Sequence, residues 1–244
     1  MFISKERKIA GIKGLGIQYI PGHVEPFIDL IIKDHMPDKG GIILDLGGGG
    51  LRFAIPVALT NRKITVVDLD PSGLDIDIIY SKVLANDKEQ IPDAEILKKN
   101  ISVEIISVFD YLKSSKQTYS LITSFRLIHF LSEIEVEFFF TLISSLIAPN
   151  GKLAISSFSC FNEDNRTYNE IYKNSSPIAN NSLYRKFLNN VIAANLQKEQ
   201  NLKSEICILT KEYLTSVAKR NNLKMIIGDC PSTRTVRGYI FIKE

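Results

Sequence analysis

Three cysteines in 244 residues, Cys160, Cys207 and Cys230, are odd in number and widely spaced. With no C-x-x-C pair among them, they fit reduced thiols better than a disulfide framework. Long apolar runs are also missing: none approaches the ~18–20 residues of a membrane span. The N-terminus lacks the charged, apolar and small-residue order of a signal peptide, so the expectation is a soluble, cytoplasmic chain. Excess charge of one sign is absent as well, because thirty basic against 27 acidic side chains leave +3. That balance argues against nucleic acid or an anionic membrane as the partner. Lys5, Arg7, Lys8 and Lys13 form a local basic cluster that reads as a solvated tail. No metal-ligand spacing stands out, and there is no internal repeat or low-complexity linker.

What the chain does contain is alternation. Ile42–Leu46, Ile64–Leu69, Ile101–Val108, Tyr119–Ser124 and Leu153–Phe158 are short apolar or β-branched runs. Helical patterns at 51–60, 72–87 and 133–147 separate them, which predicts a parallel sheet between helix layers. Residues 24–36 carry Phe27, Leu30, Ile31 and Ile32 at helical spacing. Thr210 is placed to cap a helix over 210–221, and Leu223–Asp229 and Val236–Ile242 then read as a closing hairpin. The composition is that of an ordinary globular protein, and one domain is expected, as a monomer or homodimer. It divides into an N-terminal arm and helix (1–40), a core (41–158), an insertion (159–209), and a last helix with its hairpin (210–244).

The most informative stretch is Ile42-Ile43-Leu44-Asp45-Leu46-Gly47-Gly48-Gly49-Gly50, an apolar strand running into four glycines. Glycine loses more backbone freedom on folding than any other residue, so such a run calls for positive φ or close approach to a ligand. The dinucleotide pattern G-x-G-x-x-G fails, since its third glycine would fall on Arg52 or Phe53, and no Gly-Lys-Ser/Thr marks a P-loop. Asp68 closes the next strand, 23 residues after Asp45. A carboxylate there can accept hydrogen bonds from ribose hydroxyls.

An acidic residue two before a Gly-x-Gly, here Asp45-Leu46-Gly47-Gly48-Gly49, resembles the first motif of the class I S-adenosylmethionine-dependent methyltransferases. The resemblance covers roughly residues 40–244. It implies a doubly wound seven-stranded α/β sheet in the order 3-2-1-4-5-7-6, with strand seven antiparallel, helices on both faces and residues 159–209 as a helical lid. It implies a cofactor site of Asp45, Gly47, Gly48, Gly49, Asp68, Leu69 and Ser124, with Phe109 or Asp110 reading the adenine and Tyr19 reaching over from the N-terminal segment. The family's third glycine falls on Leu51. His129-Phe130-Leu131-Ser132-Glu133 matches the small-molecule O-methyltransferase motif His-Asp-Trp-Ser-Asp/Glu at three positions, which implies His129 as a general base. Arg126, Tyr168, Tyr172 and Tyr184 are the expected acceptor-binding residues.

No Asn/Asp-Pro-Pro-Tyr/Phe follows the fourth strand, and no Pro-Cys occurs, so methylation of nucleic-acid bases is disfavoured. The expectation is methyl transfer from S-adenosylmethionine to an oxygen or nitrogen of a small molecule, with no metal. The alternatives are a cofactor-binding protein without turnover and a methyltransferase acting on protein or RNA.

Overall fold

Four buried residues, Ile43–Leu46, make the central strand β1, and their burial on both faces explains why the run does not alternate polar and apolar. The computed structural model describes residues 24–71, 74–75, 77, 94–158, 209–232 and 236–244. Helix α1, Pro26–Leu30, continues as one π-helical turn over Ile31–His35 and ends before β1. Then follow α2 (Ala54–Leu59), β2 (Ile64–Asp68), α3 (Ala94–Asn100), β3 (Ile101–Ile105), α4 (Val108–Ser114) and β4 (Tyr119–Phe125). A 3₁₀ turn at Ile128–Phe130 leads into α5 (Glu133–Leu146) and β5 (Ile147–Phe158). Helix α6 (Lys211–Arg220) precedes β6 (Leu223–Pro231) and β7 (Val236–Lys243).

The seven strands form one sheet in the order β3-β2-β1-β4-β5-β7-β6. β1 through β5 are parallel, and β7 runs antiparallel to both β5 and β6. Strand order, orientation and the final hairpin therefore agree with the sequence expectation. One face carries Leu44, Leu46, Val67, Ile122, Ile155 and Phe241 against α4, α5 and α6. The other carries Ile43, Val66, Leu121, Ala154 and Ile240 against α1, α2 and α3.

Several ends were set by side chains that close helices. Thr210 caps α6 through the Tyr213 N–H, as expected. The third strand is shorter than its apolar run: it stops at Ile105, and Ser107 caps α4 by accepting from the Asp110 N–H. Helix α3 was not foreseen; among its described side chains Leu97 is the one buried apolar group. The Pro149-Asn150-Gly151 turn lies within β5 as a bulge, with Asn150 at φ +59°. Lys243 from β7 holds the end of α5, donating to the Ser144 and Ile147 carbonyls at 2.7 and 2.9 Å. Of the helix expected over 72–87, residues other than 74–75 and 77 lie outside the described residues, as does the insertion expected over 159–209 apart from Leu209.

Candidate functional site

The loop after β1 is pinned to the end of β2. Gly47 N–H donates to the Val67 carbonyl at 2.7 Å, and Gly49 N–H donates to Asp68 Oδ2 at 2.8 Å. Asp68 Oδ1 accepts from the Asp70 N–H at 3.0 Å. The expected glycine turn and carboxylate thus meet directly. Gly47 and Gly49 take positive φ, +71° and +47°. Gly48 has no room for a side chain, since a Cβ would lie 2.2 Å from Val66 Cγ1. At the next turn Leu51, where the resemblance places a third glycine, keeps the left-handed backbone at φ +57°. That conformation costs a leucine about 1–2 kcal/mol. Its side chain is fully buried beside Phe53 and Ile55, which offsets the strain.

Asp45 lies beneath this loop, 2% exposed, and accepts from Thr123 Oγ1 at 2.7 Å. Burial pushes its carboxyl up to about 7, against the opposing pull of the Thr123 hydrogen bond and the Arg52 charge; the Asp68 charge adds to the rise. Thr123 was not singled out in the sequence, although it explains how a buried carboxyl is tolerated.

At the end of β2, Leu69 is 71% exposed, an apolar side chain left beside the Asp68 carboxylate. Ile105, paired with Asp68 across the sheet, is also exposed. Phe109 stacks on Phe138 of α5, ring centroids 5.8 Å apart, and Asp110 is exposed in the first turn of α4. These two side chains are therefore engaged in, or exposed on, the α4–α5 surface.

Near the end of β4, Ser124 is buried, and its hydroxyl has no hydrogen-bond partner among the described residues. The same holds for Ser157 on the neighbouring strand. Ser124 pairs with Ile155 across the β4–β5 register, so Ser157 lies two residues further along, on the same face. Buried hydroxyls without partners are uncommon, and these two lie together at the carboxyl end of the parallel strands. Ser157 carried no sequence signal.

Arg126 sits in the left-handed region at φ +58° and donates to Glu25 Oε1 at 2.5 Å. His129, in the 3₁₀ turn, is 1% exposed and lies 4.2 Å from the Phe130 ring, centroid to centroid. Burial, with a smaller contribution from the Arg126 charge, pushes its imidazole down to about 3. Ser132, part of the matching motif, forms a capping box: its N–H donates to Glu135 Oε2 at 2.8 Å while its hydroxyl accepts from the Glu135 N–H. Tyr19, Tyr168, Tyr172 and Tyr184 lie outside the described residues. Among the described residues no helix is long and apolar enough to cross a membrane, and no cluster of three or more His, Cys, Asp or Glu side chains could hold a metal.

No protein-family model matches the chain, and no curated protein matches it in sequence. Solved structures do. Magnesium protoporphyrin IX methyltransferase from Synechocystis, with S-adenosylhomocysteine bound, superposes with a TM-score of 0.56 at 12% identity, over 89% of this chain and 81% of its own. Mitomycin 7-O-methyltransferase gives 0.57 at 10% identity, over 89% of this chain and 53% of that one. The glycopeptide N-methyltransferase MtfA gives 0.55 at 12% identity, over 91% and 96%. This chain has the fold of the class I S-adenosylmethionine-dependent methyltransferases.

Proposed function

We propose that this protein transfers the methyl group of S-adenosylmethionine to an oxygen or nitrogen of a small-molecule acceptor. The observation that carries the reading is the junction of Gly49 with Asp68 at the carboxyl end of β1 and β2. Ligands of open α/β sheets bind at this end, where strand order reverses. Each Asp68 oxygen accepts one backbone N–H here, and a carboxylate offers about four acceptor sites, so capacity for two ribose hydroxyls remains. Leu69 supplies an apolar surface beside it.

S-adenosylmethionine supplies an electrophilic methyl group on a sulfonium. The chain's own residues bind and orient it: Asp68 the ribose, the Gly47–Gly49 backbone the methionine side, and Leu69 the adenine face. Ser124 and Ser157 provide hydroxyls for the methionine or acceptor groups. Methyl transfer is an in-line displacement, so placement and exclusion of water contribute most.

His129 is a weak base in this setting. An imidazole whose conjugate acid titrates at about 3 gives little driving force for taking a proton from a hydroxyl. His129→Ala is therefore expected to lower kcat by less than about tenfold, whereas a general base would contribute about 10²–10⁴. A loss in the larger range would restore the base role.

The direct test is calorimetry with the full chain. S-adenosylhomocysteine should bind with a one-to-one stoichiometry and raise Tm, as any ligand of the native state must. Absence of both effects at millimolar ligand would remove the cofactor and the reaction together.

A further inference from the structure

Thr123, on β4, is the direct partner of Asp45, on β1, across the parallel register. It is fully buried, and its hydroxyl lies within reach of two acceptors, Asp45 Oδ1 at 2.7 Å and the Leu44 carbonyl at 3.3 Å. A hydroxyl has one proton to donate and two lone pairs with which to accept, so it can serve these neighbours in two arrangements. With Asp45 ionised, Thr123 donates to Oδ1. With Asp45 protonated on Oδ1, the carboxyl donates to Thr123, and Thr123 donates to the Leu44 carbonyl. Both arrangements leave the Asp45–Thr123 contact satisfied, which a buried carboxyl requires if it is to exist in either form.

The other carboxyl oxygen is directed at the glycine loop: a Cβ on Gly48 would lie 3.1 Å from Oδ2. Burial is the largest influence on Asp45 and favours its neutral form; the Asp68 charge, at the end of β2, acts the same way. Arg52, in the turn after the glycines, favours the ionised form. Its charge is divided between two carboxyl groups, because it also donates to Glu25, which accepts in addition from Arg126 and from the Ser232 hydroxyl. A further cation brought to the loop would shift Asp45 toward the ionised form.

We infer that Thr123 is a positioning residue for the cofactor and acts through Asp45: its hydroxyl turns from the Leu44 carbonyl to Oδ1 as the carboxyl ionises in response to the ammonium group of the cofactor's methionine end. The inference rests on the methyltransferase reading, in which the Gly47–Gly49 backbone takes the methionine side. Its consequence is that binding releases a proton: the carboxylate stays on the protein, and the proton passes to the buffer.

Calorimetric titration of the full chain with S-adenosylhomocysteine, which carries the same ammonium group, tests it at pH 6, 7 and 8 in two buffers of different ionisation enthalpy. The wild type should release close to one proton per ligand at pH 6, and its affinity should rise by up to about tenfold per pH unit before levelling off above about pH 7. Thr123→Val keeps the shape and loses the hydroxyl that supports the carboxylate. Its proton release should persist to about one pH unit higher, and its affinity at pH 7 should fall about tenfold. Thr123→Ser should restore both. A residue that only fills space would lower Tm and weaken binding by one factor at every pH, with proton release as in the wild type, and that result overturns the inference. So does wild-type binding without proton release, or release that persists in Asp45→Asn. Should Thr123→Val fail to fold, the comparison is made with Thr123→Ala, and wild-type release at pH 6 remains decisive: without it the inference falls. A wild type that binds no ligand overturns the methyltransferase reading itself.

Discussion

Replacing Asp68 with alanine is expected to weaken S-adenosylhomocysteine binding by about a hundredfold or more. Two hydrogen bonds from ribose hydroxyls to an ionised acceptor are each worth about 1.5–3 kcal/mol, and tenfold in affinity corresponds to about 1.4 kcal/mol. The structure adds a second contribution. Asp68 is the acceptor for the Gly49 and Asp70 N–H groups, so its removal also frees the loop that carries the backbone donors. The ordering of that loop must then be supplied by the ligand at the moment of binding. Asp68→Asn separates the two effects. Its carbonyl oxygen can still serve Gly49, while its NH₂ group faces the Asp70 N–H and the charge is lost. An intermediate loss of about tenfold is expected, with Tm closer to wild type than for alanine. Calorimetric titration of both variants, with thermal unfolding as the control for folding, gives the comparison. Affinity unchanged in Asp68→Ala would detach the β2 carboxylate from the ligand and remove the central support of the proposed function.

The parts of this fold that could be read from sequence are those set by short-range pattern. Ile43–Leu46 and Ile64–Asp68 are apolar because helices cover both sheet faces, and Asp45 and Asp68 could be placed by counting from strand ends. The capping of α6 by Thr210 was equally local. The third strand was overextended because Ile106 and Val108 continue its apolar run; Ser107, a capping residue inside that run, is the signal that ends it. Helix α3 was missed because charged residues surround Leu97, and its last residue is fixed from outside by the Asn100 amide donating to the Ala58 carbonyl at 3.0 Å. The Glu25 cluster has no local signature at all, since its partners assemble only when β1, β4 and β6 lie at one end of the sheet. Ser132, shared with a methyltransferase motif, closes the first turn of α5.

The stability of this protein should depend on pH through two buried groups whose contributions oppose each other. Asp45 is raised from an ordinary carboxyl value near 3.8 to about 7. Between those limits the folded chain holds a proton that the unfolded chain has lost, so this group makes stability fall as pH rises. His129 is lowered from 6.5 to about 3. Across that interval the unfolded chain holds the extra proton, so this group makes stability fall as pH drops. From about pH 4 to 6.5 the two slopes are equal in size and opposite in sign, and their sum is close to zero. Removing one exposes the other. Asp45→Asn, which keeps an acceptor for the Thr123 hydroxyl, should lose stability on acidification by about tenfold in the folding constant per pH unit. His129→Leu should gain stability on acidification with the same slope. Urea unfolding at pH 4.5 and 6.5 reads the effect: the two variants should diverge by about 5 kcal/mol between those conditions, while the wild type changes little from these groups. Parallel pH dependence in the two variants would mean that neither group is shifted. The carboxyl beneath the glycine loop would then be ionised at neutral pH, and His129 charged in mild acid, before any ligand arrives.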